Sequence, residues 1–288
     1  MTFIDFARAH GVEIDSNRLY PSDRIKRCGT VEKPKSGNGA YFWDGQRGWV
    51  MDWSGEARVV WFNDPGAKPW TEEEKRAWAS KRASAATEQE KKYQNTAIQA
   101  EMTLRAAKPG HHPYLELKGF KDEQGLVLND KLLIPMRNVV TNKLQGYQSI
   151  QWDMEARKYE KKMLTGMRAK NAVYRLGTSK DETWLVEGYA TGLSVRHALK
   201  SVGVSASVVM CFSATNLIQV ADQIPGKRFV FADNDESKTG EKAAQETGLP
   251  WTMADQVGWD ANDLHLGKGL FQVVKKIMDC RKEVLINS

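Results

Sequence analysis

The residues best suited to chemistry in this sequence are carboxylates at particular places. Glu187 follows Trp184-Leu185-Val186 and precedes Gly188; Asp233 and Asp235 follow Phe229-Val230-Phe231-Ala232; Asp260 and Asp263 come later, in an expected loop after Gly258-Trp259. The first two groups stand at the carboxyl ends of strand-like runs, where an open α/β sheet gathers its ligand sites. Acidic side chains brought together repel one another unless a cation lies among them. Oxygen donors without His or Cys select Mg²⁺ or Mn²⁺. Such ions hold a triphosphate, polarise the attacked phosphorus and stabilise departing pyrophosphate. The chemistry implied is phosphoryl or nucleotidyl transfer, or phosphodiester hydrolysis. A strand-end Asp-x-Asp alone says little, because turns and helix caps use Asp constantly; Glu-Gly after one strand and Asp-x-Asp after a later one say more.

A second feature is cationic. Residues 157–175 carry Arg157, Lys158, Lys161, Lys162, Arg168, Lys170 and Arg175 against the single acid Glu160. Beside an acidic metal site this reads as a track for template phosphate and incoming triphosphate. Other candidates fall away. His111 and His112 precede Pro113 and read as turn formers, and Ser213 and Cys211 have no His/Asp partner at a recognisable spacing. Cys28, Cys211 and Cys280 are too scattered for a disulfide framework or a zinc ribbon, so buried inert thiols are expected. No Gly-x-x-x-x-Gly-Lys-Ser/Thr run occurs, so the sequence carries no helicase motor.

The elements that must position these groups are legible in outline. Strand-like runs at Thr183–Val186, Val208–Cys211 and Arg228–Ala232 alternate with helix-like runs at Thr191–Val202, Thr215–Asp222 and Lys238–Thr247. That alternation implies a parallel sheet flanked by helices. Upstream, Leu132–Arg137 reads as a strand, followed by a hairpin at Asn142–Tyr147. Residues 71–104 lack Gly and Pro and have few apolar positions, which predicts a long solvated helix; Thr71 with Glu74 is a capping-box signature at its start, and Pro109-Gly110 closes it. A linker is expected at Asn63-Asp64-Pro65-Gly66. Residues 24–62 alternate turn chemistry with Tyr41-Phe42-Trp43 and Trp49-Val50-Met51, a small antiparallel β module whose aromatics are expected mainly in its core.

The 288 residues carry a net charge of +6, concentrated in residues 1–179, with residues 180–288 slightly acidic. A basic front and an acidic back suit a polyanion grip beside a cation grip. No apolar run is long enough to span a membrane and the N-terminus lacks a secretion-signal layout, so a cytoplasmic protein without a membrane partner is expected.

Three segments, Glu187-Gly188-Tyr189-Ala190-Thr191-Gly192, Ala232-Asp233-Asn234-Asp235 and Asp260-Ala261-Asn262-Asp263-Leu264, resemble the topoisomerase–primase (Toprim) domain of plasmid and phage primases. Upstream, His111–Phe120 is similar to the opening of that family's catalytic core, Leu132–Ile150 to its strand–hairpin segment and Lys161–Gly166 to its basic loop. The resemblance implies that Glu187 is a general acid/base or metal ligand. It makes Asp233 and Asp235 the principal metal ligands, with Asp260 or Asp263 completing the site. Arg137 and Lys162 match basic positions of the primase core; with Lys158, Lys161, Arg168 and Lys170 they form the expected nucleotide and DNA contacts. Two departures stand out: Thr191 occupies a place where bacterial replicative primases carry an acid, and the family's zinc ribbon is absent.

The expected fold class is α/β. A Toprim-type parallel sheet flanked by helices (180–288) follows a basic mixed α/β primase subdomain (108–179), a helical arm (67–107) and a small β module resembling a zinc-less ribbon (1–66). The expected function is a DNA primase of phage or plasmid replication. It would join ribonucleoside triphosphates on single-stranded DNA with Mg²⁺ or Mn²⁺ and no zinc, with a replicative helicase as a further partner. The alternatives are a nuclease using the same carboxylates and a non-catalytic single-strand-binding replication factor.

Overall fold

The structure, a computed structural model, describes residues 1–53, 58–63 and 71–287, without the side chains of Asp23, Asn63, Glu74 and 283–287. The expected linker therefore lies outside the described residues apart from the Asn63 backbone, as does the Glu74 side chain of the expected capping box. The chain divides into two compact units, Met1–Arg82 and Ala83–Ser288.

In the first unit, α1 (Phe3–Ala9) begins at a capping box in which the Thr2 hydroxyl accepts from the Asp5 amide and the Asp5 carboxylate accepts from the Thr2 amide. It is followed by β1 (Val12–Glu13), β2 (Ser22–Thr30), β3 (Gly39–Trp43), β4 (Arg47–Asp52) and β5 (Val60–Asn63). The five strands form one antiparallel sheet in sequence order. Phe3, Phe6, Val12, Ile14, Tyr41, Val50 and Phe62 fill its core, so the aromatics serve packing as expected. Each such side chain contributes roughly 1.5–3 kcal/mol by leaving water.

The boundary between the units falls inside α2 (Glu72–Ala106). This helix is mostly exposed and carries pairs such as Glu88–Lys92 and Glu101–Arg105 at 2.9 and 2.7 Å, each contributing only a few tenths of a kcal/mol. The second unit continues with β6 (Lys108–Gly110), α3 (Pro113–Leu117), β7 (Gly125–Leu128), β8 (Lys131–Asn138), β9 (Leu144–Asp153), β10 (Lys158–Met163), β11 (Ala172–Leu176), β12 (Glu182–Val186), α4 (Tyr189–Ser201), β13 (Ser207–Met210), α5 (Ala214–Ala221), β14 (Lys227–Ala232), α6 (Thr239–Glu246), β15 (Trp251–Met253), α7 (Ala261–Lys268) and α8 (Leu270–Asn287). One sheet runs β10-β9-β8-β11-β13-β12-β14-β15, with β7 also on β8 and β6 on β7.

The pairs β13–β12, β12–β14 and β14–β15 are parallel, and all other pairs in this sheet are antiparallel. Every residue of β12 and β13 is buried, as expected for parallel strands covered on both faces. Trp184, Val186, Val208, Met210, Phe229 and Phe231 pack toward α4, α7 and α8, while the intervening Leu185, Val209 and Val230 pack toward α5 and α6. Two expectations are corrected. The basic Lys161–Gly166 segment is a loop only in its second half: Lys158–Met163 is an edge strand paired along its length with β9, Leu164–Gly166 leaves it in a turn, and charged side chains suit such an edge because they discourage further strand pairing. Asp260 ends the expected loop as the N-cap of α7, but Asp263 lies in the first turn of that helix, and the two form the capping box that opens it.

Candidate active site

The carboxylates come from three chain segments whose ends lie together. Glu187 follows β12 directly, and the extended Gly188 turns the chain into α4. Asp233 follows β14, and Asp235 lies in the turn to α6. Asp260 and Asp263 open α7. Close packing makes these turns possible. A Cβ on Gly192 would stand 2.2 Å from Met210 Cε, and one on Gly240 would stand 2.3 Å from the Asp233 carbonyl oxygen. Lys238, in the left-handed region at φ 57°, caps α6 and completes the turn that holds Asp235.

Each carboxylate is held differently. Asp235 accepts from the Thr239 and Gly240 amides at 3.1 and 2.9 Å and from the Ser237 hydroxyl. Burial works to raise its pKa, but these hydrogen bonds outweigh burial and hold it below the usual carboxylate value. Asp260 is similarly engaged: Oδ1 accepts from the Asn262 and Asp263 amides at 2.6 and 2.9 Å, and Oδ2 from the Thr191 hydroxyl at 2.9 Å. Thr191, the departure noted in the sequence, thus ties α4 to the start of α7. Asp263 accepts from the Asp260 amide at 3.2 Å and lies 4.0 Å from Lys118 Nζ.

Asp233 is the exception. Its Oδ1 is buried and has no hydrogen-bond partner among the described residues. Burial first, then repulsion from Asp260 and Glu187, pushes its pKa up to about 8, with Lys161 partly offsetting the rise. Glu187 is also raised, by burial and by Asp235, against a hydrogen bond from the Ala214 amide. These mutual influences mean that Glu187, Asp233, Asp235 and Asp260 share one electrostatic site. Among the described residues, no three His, Cys, Asp or Glu side chains stand close enough together to form a finished metal cage. Mg²⁺ keeps several waters and needs only one or two protein carboxylates. An orphaned buried carboxylate oxygen among oxygen-only donors fits such an ion.

The strand register sorts the cations. On β10, Lys161 lies opposite Ile150 and shares a sheet face with Tyr159, while Lys158, Glu160 and Lys162 point to the other face. Lys161 feels Asp260, Asp233 and Asp263, and its ammonium lies 5.8 Å from the centre of the Tyr114 ring. Its side chain keeps solvent access, yet the surrounding protein, with Lys118, lowers its pKa below the ordinary lysine value. Lys162 instead pairs with Glu160 at 2.7 Å. Arg137 lies on the face opposite Lys161 and donates to the Asn142 carbonyl at 3.2 Å. Arg168 pairs with Glu90 and lies 4.7 Å over the Tyr93 ring, while Lys170 is exposed and its carbonyl accepts from Gln145 at 3.1 Å. Of the six basic residues singled out in the sequence, the fold brings Lys161 to the carboxylates.

Lys118 and Tyr114 were missed in the sequence. Tyr114 is 1% exposed, its hydroxyl has no partner among the described residues, and burial with Asp260 and Asp263 pushes its pKa up. Both residues lie in the His111–Phe120 segment, whose spacing carries no chemical signature. His112 is the N-cap of α3: Nδ1 accepts from the Tyr114 amide at 3.1 Å, and the opposite ring nitrogen lies 3.1 Å from the Asp130 carbonyl. His112 thus has the structural role expected of it. Ser213 caps α5.

No protein-family profile matches this sequence, and no curated protein does. Among solved structures, the chain is similar to one in the complex of bacteriophage T7 lagging-strand DNA polymerase with primase domains of two gp4 subunits bound to an RNA/DNA hybrid and dTTP. The identity is 16% and the TM-score 0.38, covering 58% of this chain and 84% of that one. It is also similar to the DnaG catalytic core at 15% identity and a TM-score of 0.37, covering 69% of this chain and 72% of that one.

Proposed function

We propose that this chain is a DNA primase that joins ribonucleoside triphosphates into short primers on a single-stranded DNA template. The observation that carries this reading is Asp233, whose buried oxygen has no hydrogen-bond partner among the described residues and whose charge is opposed by Asp260 and Glu187, with Lys161 partly offsetting them. A site with that much confined negative charge is suited to a divalent cation. Asp233 and Asp235 would hold it, with Glu187 adjoining and Asp260 and Asp263 supporting from the start of α7.

A bound Mg²⁺ or Mn²⁺ would supply charge neutralisation for the triphosphate and pyrophosphate oxygens. The chain's own groups account for the rest. The 3′-hydroxyl of one nucleotide attacks the α-phosphorus of the next; a P–O bond forms to that oxygen, and the bond to pyrophosphate breaks. Glu187, whose pKa burial and Asp235 raise above the usual carboxylate value, is suited to accept the hydroxyl proton. Lys161 and Lys118 offer cations to triphosphate oxygens from the strand side and the α7 side. The hydrogen bonds to Asp235 and Asp260 fix those side chains so that little reorganisation accompanies reaction.

The test incubates the protein with single-stranded DNA, labelled ribonucleoside triphosphates and Mg²⁺ or Mn²⁺. Short labelled oligomers made by the natural sequence and lost in Asp233→Asn support the proposal. Shortened DNA without oligomers would move the chemistry to hydrolysis, and strand binding without turnover would reduce the protein to a replication factor.

A further inference from the structure

Arg175 is a half-buried guanidinium for which no acidic partner or hydrogen-bond acceptor stands within reach among the described residues. Burial lowers its pKa, with Cys211 acting weakly against that. Half-buried cations ordinarily have a counter-charge, because leaving water without one is costly. Arg137 is its neighbour across the sheet. Val173 on β11 lies opposite Arg137 on β8, so Arg175, two residues further along, lies diagonally from Arg137 on the same face. Both arginines line a cavity of about 310 Å³ with Asn138, Asn142 and Tyr174. No carboxylate lines it. None of Glu187, Asp233, Asp235, Asp260 and Asp263 lines it, so the cavity is separate from the carboxylate site.

We propose that this cavity is a phosphate-binding site in which Arg175 and Arg137 grip one phosphoryl group. Guanidinium forks match phosphate oxygens in geometry and form charge-assisted hydrogen bonds to them. Asn138 and Asn142 also line it, and the Asn142 carbonyl accepts from Arg137 at 3.2 Å. The phosphoryl group belongs either to a free phosphate compound or to the backbone of a single strand passing over this face. The assignment is independent of the reaction proposed above, because none of the carboxylates of that site lines this cavity.

The experiment measures thermal stability of the whole chain in EDTA, at constant ionic strength set with chloride. Inorganic phosphate, pyrophosphate and a mixed-sequence single-stranded oligonucleotide are titrated in separate arms. Phosphate or pyrophosphate should raise the melting temperature of the natural sequence and leave Arg175→Met unmoved. Arg175→Gln should weaken the response about tenfold or more, as expected for losing hydrogen bonds to a charged group. Arg175→Met should itself melt no lower than the natural sequence without phosphate, since it removes an unpaired charge; this separates lost binding from lost folding. Asp233→Asn should respond to phosphate as the natural sequence does. An Arg175-dependent response to the oligonucleotide identifies the strand as the source, and one confined to phosphate and pyrophosphate identifies a free compound. No response in any arm, or an equal response in Arg175→Met, overturns the proposal.

Discussion

Removing divalent cations and raising the pH should destabilise this protein through Asp233. The carboxyl has a pKa of about 8 in the fold, against 3.8 for the ordinary group. A folded-state pKa above the unfolded value means that the native state holds the proton more tightly. The stability associated with the neutral group is fully present below about pH 4 and is lost as pH rises through 8. At about 1.36 kcal/mol per pH unit, the loss is roughly 4 kcal/mol by pH 7 and on the order of 5 kcal/mol above pH 8. Glu187, also raised, adds in the same direction, whereas Asp235, lowered, contributes stability that is lost only as pH falls into the acid range. The assay is urea unfolding in EDTA from pH 4.5 to 8.5, comparing the natural sequence with Asp233→Asn. The variant should lack most of the decline and become the more stable protein at pH 8. Mg²⁺ should stabilise the natural sequence increasingly as the pH rises, because its binding displaces the Asp233 proton. Parallel stability curves for the two proteins across this range would refute the reasoning.

Three further outcomes follow from particular contacts. Lys161→Ala should reduce primer synthesis at least about tenfold, while Lys162→Ala, whose ammonium faces Glu160, should change it little; equal effects in a steady-state priming assay would contradict the strand register. Gly240→Ala should cost about 1–3 kcal/mol in urea unfolding and weaken the response to Mg²⁺, because its Cβ would press on the Asp233 carbonyl. Arg281→Met should cost on the order of 3 kcal/mol, because it leaves the Glu182 carboxylate, 9% exposed, with only the Trp184 indole; adding Glu182→Gln should recover much of the loss.

The parallel sheet was legible because β12, β13 and β14 are continuous apolar runs, each followed by a turn and a helical segment. The placement of Glu187 and Asp233 at strand ends followed from the same pattern. The edge strand β10 was not legible: its Lys-Tyr-Glu-Lys-Lys-Met sequence hides an alternation in which only Tyr159 and Met163 are apolar, and long-range pairing with β9 decides its conformation. That also explains why Lys161 and Lys162 were indistinguishable in sequence, since a difference of one position sends them to opposite faces. Helix α1 carried a readable signal in Thr2 and Asp5, the two ends of its capping box. Lys118 carried none, because its proximity to Asp263 joins residues far apart in the chain. The capping box of Asp260 and Asp263 shows one motif serving a helix end and a charge cluster together, which spacing alone could not separate.

The most direct test soaks crystals of the protein with Mn²⁺ and locates the ion by anomalous scattering. An Mn²⁺ ion bound to Asp233 Oδ1, with Asp235 or Glu187 completing its coordination, is the predicted result. Crystals saturated with Mn²⁺ in which Asp233 has no ion would contradict the site as a cation centre.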